Sequence, residues 1–320
     1  MDIRSLDGDD PATITLLVPG FQETMSLELP SDPPVSEALL ARLLQRRHGA
    51  DRIVLAAFDG DTPVGVTKLG LDLGDPAGPG HGSLWVFPSF RRRGAGTALV
   101  DAARAELRAR GRGHLMVDAP HTPAAEAFAS GCGAELRGTN LRNRLFLKGP
   151  AAAGLDELAA RAVPGHHLVH WTDRCPDELV GSYARAWGTL DAPVNGQAQV
   201  RTPTADDVRA REAEAERAGH RQHVTAAVDA ATGDVVGYAT VFVRDSPMAD
   251  AGETLVLADR RRRGLGTWLK ADLLARTARE NGQVALVQAW NDVRNDAVVA
   301  LNRRLGFTAD SSWSTYRVKA

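Results

Sequence analysis

Two stretches of this chain carry the residues best suited to chemistry. Arg91-Arg92-Arg93-Gly94-Ala95-Gly96-Thr97 leads to Leu99, and Arg261-Arg262-Arg263-Gly264-Leu265-Gly266-Thr267 leads to Leu269. Glycines lack a Cβ, so backbone amides in such a turn can approach a ligand closely. Where a helix follows, its first N–H groups have no intrahelical partner, and the positive end of its dipole points the same way. Arg side chains add charge-assisted hydrogen bonds. This combination suits a diphosphate. Neither copy contains Gly-Lys-Ser/Thr, which argues against nucleotide hydrolysis, and neither contains Gly-x-Gly-x-x-Gly, which disfavours a dinucleotide site. An Arg run at a helix start can also be a plain solvated surface; two copies in matching contexts favour the anion site.

The surrounding pattern supplies those contexts. In the first half, residues 14–18 read as a strand and 35–47 as a helix, with Leu39, Leu40, Leu43 and Leu44 at helical spacing. Residues 53–58 and 63–71 flank an Asp59-Gly60-Asp61 turn as a hairpin. A Gly/Pro loop at 75–82 is followed by a strand at 83–87, the Arg/Gly turn, a helix to about 110, a strand at 114–117 and a weak helix at 123–130. The second half repeats the order: a strand at 168–171, helices at 176–188 and 205–218, and a hairpin of 224–228 with 235–243. A strand at 254–257, the turn, a helix at 265–279, a strand at 284–290 and a helix at 292–305 ending before Gly306 complete it. The predicted class is α+β: two tandem domains, each a mostly antiparallel mixed sheet flanked by helices. The expected boundaries are 1–149 and 166–320, with 150–165 as the linker.

Bulk properties are those of an ordinary globular protein. The 320 residues are 43% hydrophobic and 24% charged, and a chain this long suggests two cores. A net charge of −2 and the lack of aromatic residues interleaved with the Arg runs argue against nucleic acid. No signal peptide and no membrane-length apolar run is read, so the cytoplasm is the expected location. Cys132 and Cys175 have no metal spacing and read as free thiols. His166, His167 and His170 lack an accompanying carboxylate cluster and read as surface histidines, so no metal is expected.

The Arg-x-x-Gly-x-Gly pattern now gains meaning from its setting. Val86 and Val256 each stand five residues before the first motif Arg, and an amphipathic helix follows each copy. Near the end, Asn302-Arg303-Arg304-Leu305-Gly306-Phe307 closes the last helix. These features resemble the GNAT superfamily of acyl-CoA-dependent N-acyltransferases, whose signature is Gln/Arg-x-x-Gly-x-Gly/Ala. The Leu286 to Phe307 stretch, with Trp290-Asn291, Asn295 and Asn302, is similar to actinobacterial tandem GNAT proteins related to mycothiol synthase. The resemblance covers nearly the whole chain.

It implies that acyl-CoA lies in a gap where two parallel strands splay. The pantetheine arm would pair with Leu255, Val256 and Leu257 in the second domain, and with Trp85, Val86 and Phe87 in the first. The diphosphate would lie on Arg261 to Thr267 or on Arg91 to Thr97. A backbone amide near Val256 or Leu257 would polarise the thioester carbonyl. Glu253, at the start of that strand, is the candidate base, an exposed strand-end carboxylate being its other reading. Asn302 stands where many relatives carry a Tyr acid, so water, the acceptor or another side chain must protonate the thiolate; Tyr316 is a remote candidate. Asn291 and Asn295 would bind pantetheine or order the last helix. The Asp191-Ala192-Pro193 loop would border the acceptor or form an ordinary turn, and Trp171, Trp187 and Trp290 would be core or cleft wall. In the first domain Ser83, Ala129 and Cys132-Gly133-Ala134 replace the corresponding residues, which implies acyl-CoA binding without catalysis. The implied activity is transfer of acetyl from acetyl-CoA to a primary amine of a small molecule, by a monomer or homodimer with no nucleic-acid or membrane partner. Acylation of a protein or peptide amine, and acyl-CoA binding without turnover, are the alternatives.

Overall fold

The computed structural model describes residues 1–46, 50–190, 202–217 and 219–320. The chain forms two compact units, Met1–Asn140 with Ser311–Ala320, and Leu141–Asp310. Each is a mixed sheet flanked by helices, the α+β pattern read from the sequence.

The first unit contains β1 (Asp2–Leu6), α1 (Pro11–Glu28), α2 (Glu37–Leu44), β2 (Ala50–Asp59), β3 (Thr62–Asp72) and β4 (Gly80–Val86). It continues with α3 (Ala95–Ala109), β5 (His114–Pro120), α4 (Pro123–Gly131) and the first part of β6 (Glu135–Phe146). The second unit takes the rest of β6, then α5 (Pro150–Ala159), β7 (His166–Thr172), α6 (Val180–Trp187), α7 (Ala205–Arg217), β8 (Arg221–Asp229) and β9 (Val235–Val243). After these come β10 (Met248–Val256), α8 (Leu265–Glu280), β11 (Leu286–Asp292), α9 (Asp296–Arg304) and β12 (Thr308–Lys319).

Strand order in the first unit is β1-β2-β3-β4-β5-β12, and in the second β6-β11-β10-β9-β8-β7. β12 is the unexpected member of the first: Trp313–Lys319 pairs antiparallel with Pro120–His114 of β5. The end of the chain therefore belongs to the first unit rather than to a continuous 166–320 domain. The 150–165 stretch, read as a linker, contains α5, which packs on α8. Leu155 and Val163 enter the core beneath α8, and the Trp268 Nε1–H donates to the Ala159 carbonyl oxygen at 2.8 Å.

Residues 14–18 are helical, not a strand. Asp10 caps the N-terminus of α1 through the Ala12 N–H, Pro11 occupies the first turn, and Ile14, Leu17, Val18 and Phe21 are buried at helical spacing. The Leu-Leu-Val run had masked that period, and the first strand lies earlier, at Asp2–Leu6. On α3, Leu99, Ala103 and Leu107 face the sheet; on α8, Leu265, Leu269 and Leu273 do the same. Cys132 and Cys175 are free, and burial pushes the Cys175 thiol up to about 12. Among the described residues, no helix is long and apolar enough to cross a membrane.

A chain ending at Asp310 would remove β12 from the sheet of the first unit, together with the buried Val318 and the carbonyl that accepts from Arg104 Nε. Limited trypsin digestion should then cut within residues 1–140 much faster than in the full chain, with 141–310 still protected. Equal protection of both units would contradict the place of β12 in the first unit.

Candidate active site

Each Arg/Gly turn follows a short 3-10 segment, Pro88–Phe90 or Ala258–Arg260. The backbone then repeats closely: Arg92 and Arg262 adopt φ of 64° and 61°, and Gly94 and Gly264 adopt 90° and 88°. A non-glycine residue in this region costs about 1 kcal/mol or more, so strain is built into both turns. Among the described residues, no side chain caps α3 or α8. The first helical bonds run from Ala98 N–H to the Gly94 carbonyl oxygen and from Trp268 N–H to that of Gly264. The N–H groups of Ala95, Gly96 and Thr97, and of Leu265, Gly266 and Thr267, therefore lack intrahelical partners.

The first motif Arg is engaged through its Nε–H. Arg91 Nε–H donates to the Val86 carbonyl oxygen at 3.1 Å, and Arg261 Nε–H to that of Val256 at 2.9 Å. Each folds back and latches the strand to the turn, leaving Arg92, Arg93, Arg262 and Arg263 exposed. The Arg91 guanidinium also meets Glu28 at 2.6 Å, which offsets charge at the first turn.

Both sheets split beside these turns. Parallel rungs join β10 to β11 only from Met248/Leu286 to Asp250/Gln288, although the strands continue to Val256 and Asp292. In the first unit the rungs stop at Gly82/Val117 while the strands continue to Val86 and Pro120. Beyond each last rung, among the described residues, the two parallel strands no longer pair with each other. The Leu257 N–H, one of the two expected carbonyl-polarising amides, donates instead to the Val236 carbonyl oxygen at 3.0 Å. Leu257 thus faces β9 rather than the gap. Strand alternation directs the Val256 backbone the other way, toward the gap, consistent with the latch from Arg261 to its carbonyl. Val86 and Phe87 repeat this arrangement, with Phe87 N–H bonded to the Val64 carbonyl oxygen.

The two gaps differ at Glu253. The register of β9 and β10 shifts between Ala251 and Thr254, whereas β3 and β4 pair regularly through Lys68/Ser83. At Gly252 a Cβ would lie 2.2 Å from Thr240 Oγ1, so no side chain fits there. That hydroxyl instead receives the Glu253 N–H at 3.0 Å. The Glu253 side chain is about three-quarters buried, ion-paired with Arg211 and 3.5 Å from the Tyr238 hydroxyl. Arg211 lies 4.8 Å over the Trp187 ring, and the Tyr183 ring meets that of Tyr238 edge-on. Burial works against charge on Arg211, but the Glu253 carboxylate outweighs it and raises its pKa. Burial, reinforced by Glu253, pushes both tyrosines far up, so they stay protonated. Arg211, Tyr183 and Tyr238 were missed in the sequence; the one local signal was Gly252 within a strand.

Asn302 is 1% exposed and engaged on both amide atoms. Lys270 Nζ donates to its Oδ1 at 2.7 Å, and its Nδ2 donates to Asn291 Oδ1 at 2.6 Å. Asn143 Nδ2 donates to the same Asn291 oxygen at 3.3 Å. Asn291 therefore ties the end of β11 to α9 and β6. Asn295 caps α9 by accepting from the Val298 N–H, the helix-ordering alternative of its two readings. Tyr316 is buried opposite Val117 in the first unit. His166 bonds to the Pro164 carbonyl and His170 to Asp272. Asp191, Ala192 and Pro193 lie outside the described residues.

Comparisons place this geometry among known proteins. The Acetyltransferase (GNAT) family profile matches residues 21–134 and 193–307. A tandem GNAT protein from the clavulanic acid biosynthesis pathway, solved without AcCoA, is 25% identical, with a TM-score of 0.80 over 99% of this chain and 98% of that one. A GCN5-related N-acetyltransferase from Sphaerobacter thermophilus is 17% identical, with a TM-score of 0.72 over 99% and 95%. No curated protein matches the sequence.

Two outcomes follow from the site geometry. In Gly264→Ala the new Cβ meets, among the described residues, only Val163 Cγ2 at 3.8 Å, so the penalty comes from φ; a loss of about 1 kcal/mol or more is expected in thermal melts. Unchanged stability would contradict the strained turn. Burial pushes the Lys270 ammonium from 10.5 down to about 8. Between those pH values the unfolded chain holds the proton more tightly, so stability rises with pH through the window, and the full penalty applies below about 8. Urea titrations should show the wild type gaining up to about 3 kcal/mol relative to Lys270→Met from pH 7 to 10.5. Parallel curves would contradict this.

Proposed function

This chain belongs to the GNAT family of acetyltransferases, and from that premise we propose that its second unit transfers acetyl from acetyl-CoA to a primary amine of a small molecule. The observation that carries this reading is the bulge of β10. The shift falls at Glu253, three residues before Val256 on the same strand, which supports Glu253 as the base. Tandem organisation, and the likeness to a tandem protein of clavulanic acid biosynthesis, support a metabolite as acceptor.

Acetyl-CoA supplies an activated thioester. The bare N–H groups of Leu265, Gly266 and Thr267, with Arg262 and Arg263 beside them, suit its diphosphate, and the open edge of β10 suits its pantetheine arm. Val256 N–H donates to the carbonyl oxygen as it gains negative charge. Glu253 takes the proton released by the acceptor amine, directly or through water. The amine nitrogen bonds to the acyl carbon, the C–S bond breaks, and the thiolate leaves as free thiol after gaining a proton. Asn302 has no titratable proton and is buried, so its role is to hold Asn291 and the β11 end of the gap; solvent or the acceptor supplies the thiol proton.

The first unit is proposed to retain an acyl-CoA turn without catalysis. Ser83 replaces the carboxylate and Ala129 stands in place of Asn302. The Phe128 ring comes within 3.0 Å of where a Gly96 Cβ would sit, whereas at Gly266 the nearest of the described residues, Leu301 and Val256, lie at 3.8 Å.

Thiol release measured over a panel of small primary amines and peptide amines tests the assignment. Glu253→Gln should lower kcat by about 10²- to 10⁴-fold with CoA affinity unchanged. Full turnover by that variant, or turnover confined to peptide amines, would refute the base or the acceptor class.

A further inference from the structure

Arg211, which pairs with Glu253, also lines a cavity of about 10 Å³ in the second unit. That is the room of a single water. Trp171, Tyr183 and Trp187 form aromatic walls, and Glu212 and Gln222 add to the polar lining. Gln222 reaches the cavity from β8. Val224, two residues along, packs in the same core as Tyr183, so strand alternation puts Gln222 on that face. Gln222 is 5% exposed. Its backbone N–H and carbonyl oxygen are both committed to Asp173, at 2.8 Å each. Among the described residues its carboxamide has no hydrogen-bond partner. A buried amide left in that state costs about 1–3 kcal/mol and calls for an explanation.

Arg211 has donors to spare. A guanidinium carries several N–H groups in a fixed fork. Nη2 donates to Glu253, the guanidinium lies over the Trp187 ring, and among the described residues no other acceptor meets it. Glu212 is already committed: both of its oxygens accept from Arg209 Nη1, and one also accepts the Cys175 N–H at 2.8 Å. The cavity is thus sized for one oxygen, shielded by rings, and edged by N–H donors that lack an acceptor.

Glu253 and Arg211 are in contact, so a ligand that faces both must carry its own opposite charges side by side. We infer that the acceptor is an α- or β-amino acid, with one carboxylate oxygen entering the cavity between Arg211 and Gln222 and the amine facing Glu253. This names the acceptor of the acyltransfer reading and rests on that reading. The zwitterion matches the ion pair charge for charge, and hydrogen bonds from a guanidinium to a carboxylate are among the strong ones. The ammonium gives one proton to Glu253, which frees the lone pair to attack the acyl carbon. The second proton, shed as the amide bond forms and the C–S bond breaks, balances the departing thiolate. The carboxylate stays on Arg211 throughout.

The test compares each free amino acid with its own carboxamide, L-phenylalanine with L-phenylalaninamide and β-alanine with β-alaninamide included, over a panel of side chains. The carboxamide has the less basic amine, so a preference for the acid cannot come from the unprotonated fraction. In wild type, kcat/KM for the best acid should exceed that of its carboxamide by about 10- to 100-fold. Gln222→Leu and Gln222→Met, each shown to be folded by circular dichroism, should pull that ratio toward one, and Arg211→Met should abolish it. The Gln222 variants leave the Arg211–Glu253 pair in place, so the ratio is read without disturbing the base. A merely structural role for Gln222 would lower acid and carboxamide together and keep the ratio, which would overturn the inference. Wild-type turnover of carboxamides or simple amines with no preference for the acid would also overturn it, the cavity then holding water, and would leave the acyltransfer reading standing. No turnover of acid, carboxamide or amine would overturn both.

Discussion

A helix that begins on a glycine with positive φ, without a capping side chain, leaves three N–H groups pointing outward. In this protein that happens at Gly94 and again at Gly264. The exposed donors are costly unless water or an anion meets them. The turn is held open by a latch from the motif Arg to the preceding strand, so the strain at Arg92 and Arg262 is maintained by the fold around it. Everything proposed about the donor depends on this arrangement of bare peptide groups beside a split sheet.

The two units share the turn and the split but differ in what surrounds them. In the second, β10 bulges at Glu253, and Arg211 and the Tyr238 hydroxyl hold its carboxylate, with the Tyr183 ring against Tyr238. In the first, β3 and β4 pair without a bulge, Glu28 meets the motif Arg, and Phe128 lies against Gly96. These differences separate anion binding, which needs only local backbone, from catalysis, which needs side chains drawn from several elements.

That distinction also explains what could be read from the sequence. The turns were legible because every residue that makes them is contiguous. The hairpins and α8 were legible because their periods are regular and their turn residues conventional. Residues 14–18 were misread because five apolar or β-branched residues in a row hide a helical period. The Asp10-Pro11 start was the better signal. β12 joining β5 was not legible at all, since pairing between residues so far apart leaves no local trace. The same holds for Lys270 beneath Asn302 and for Arg211 on Glu253. The latch of Arg261 was not legible either: its Nε–H bonds the Val256 carbonyl oxygen five residues back.

A crystal structure of the protein grown with acetyl-CoA tests the central claim most directly. The account predicts diphosphate oxygens within hydrogen-bond distance of the Leu265, Gly266 and Thr267 N–H groups. It also predicts the arm running along β10, with the thioester carbonyl at the Val256 N–H. Coenzyme bound away from both glycine turns, or a thioester lying far from Val256 and Glu253, would contradict it.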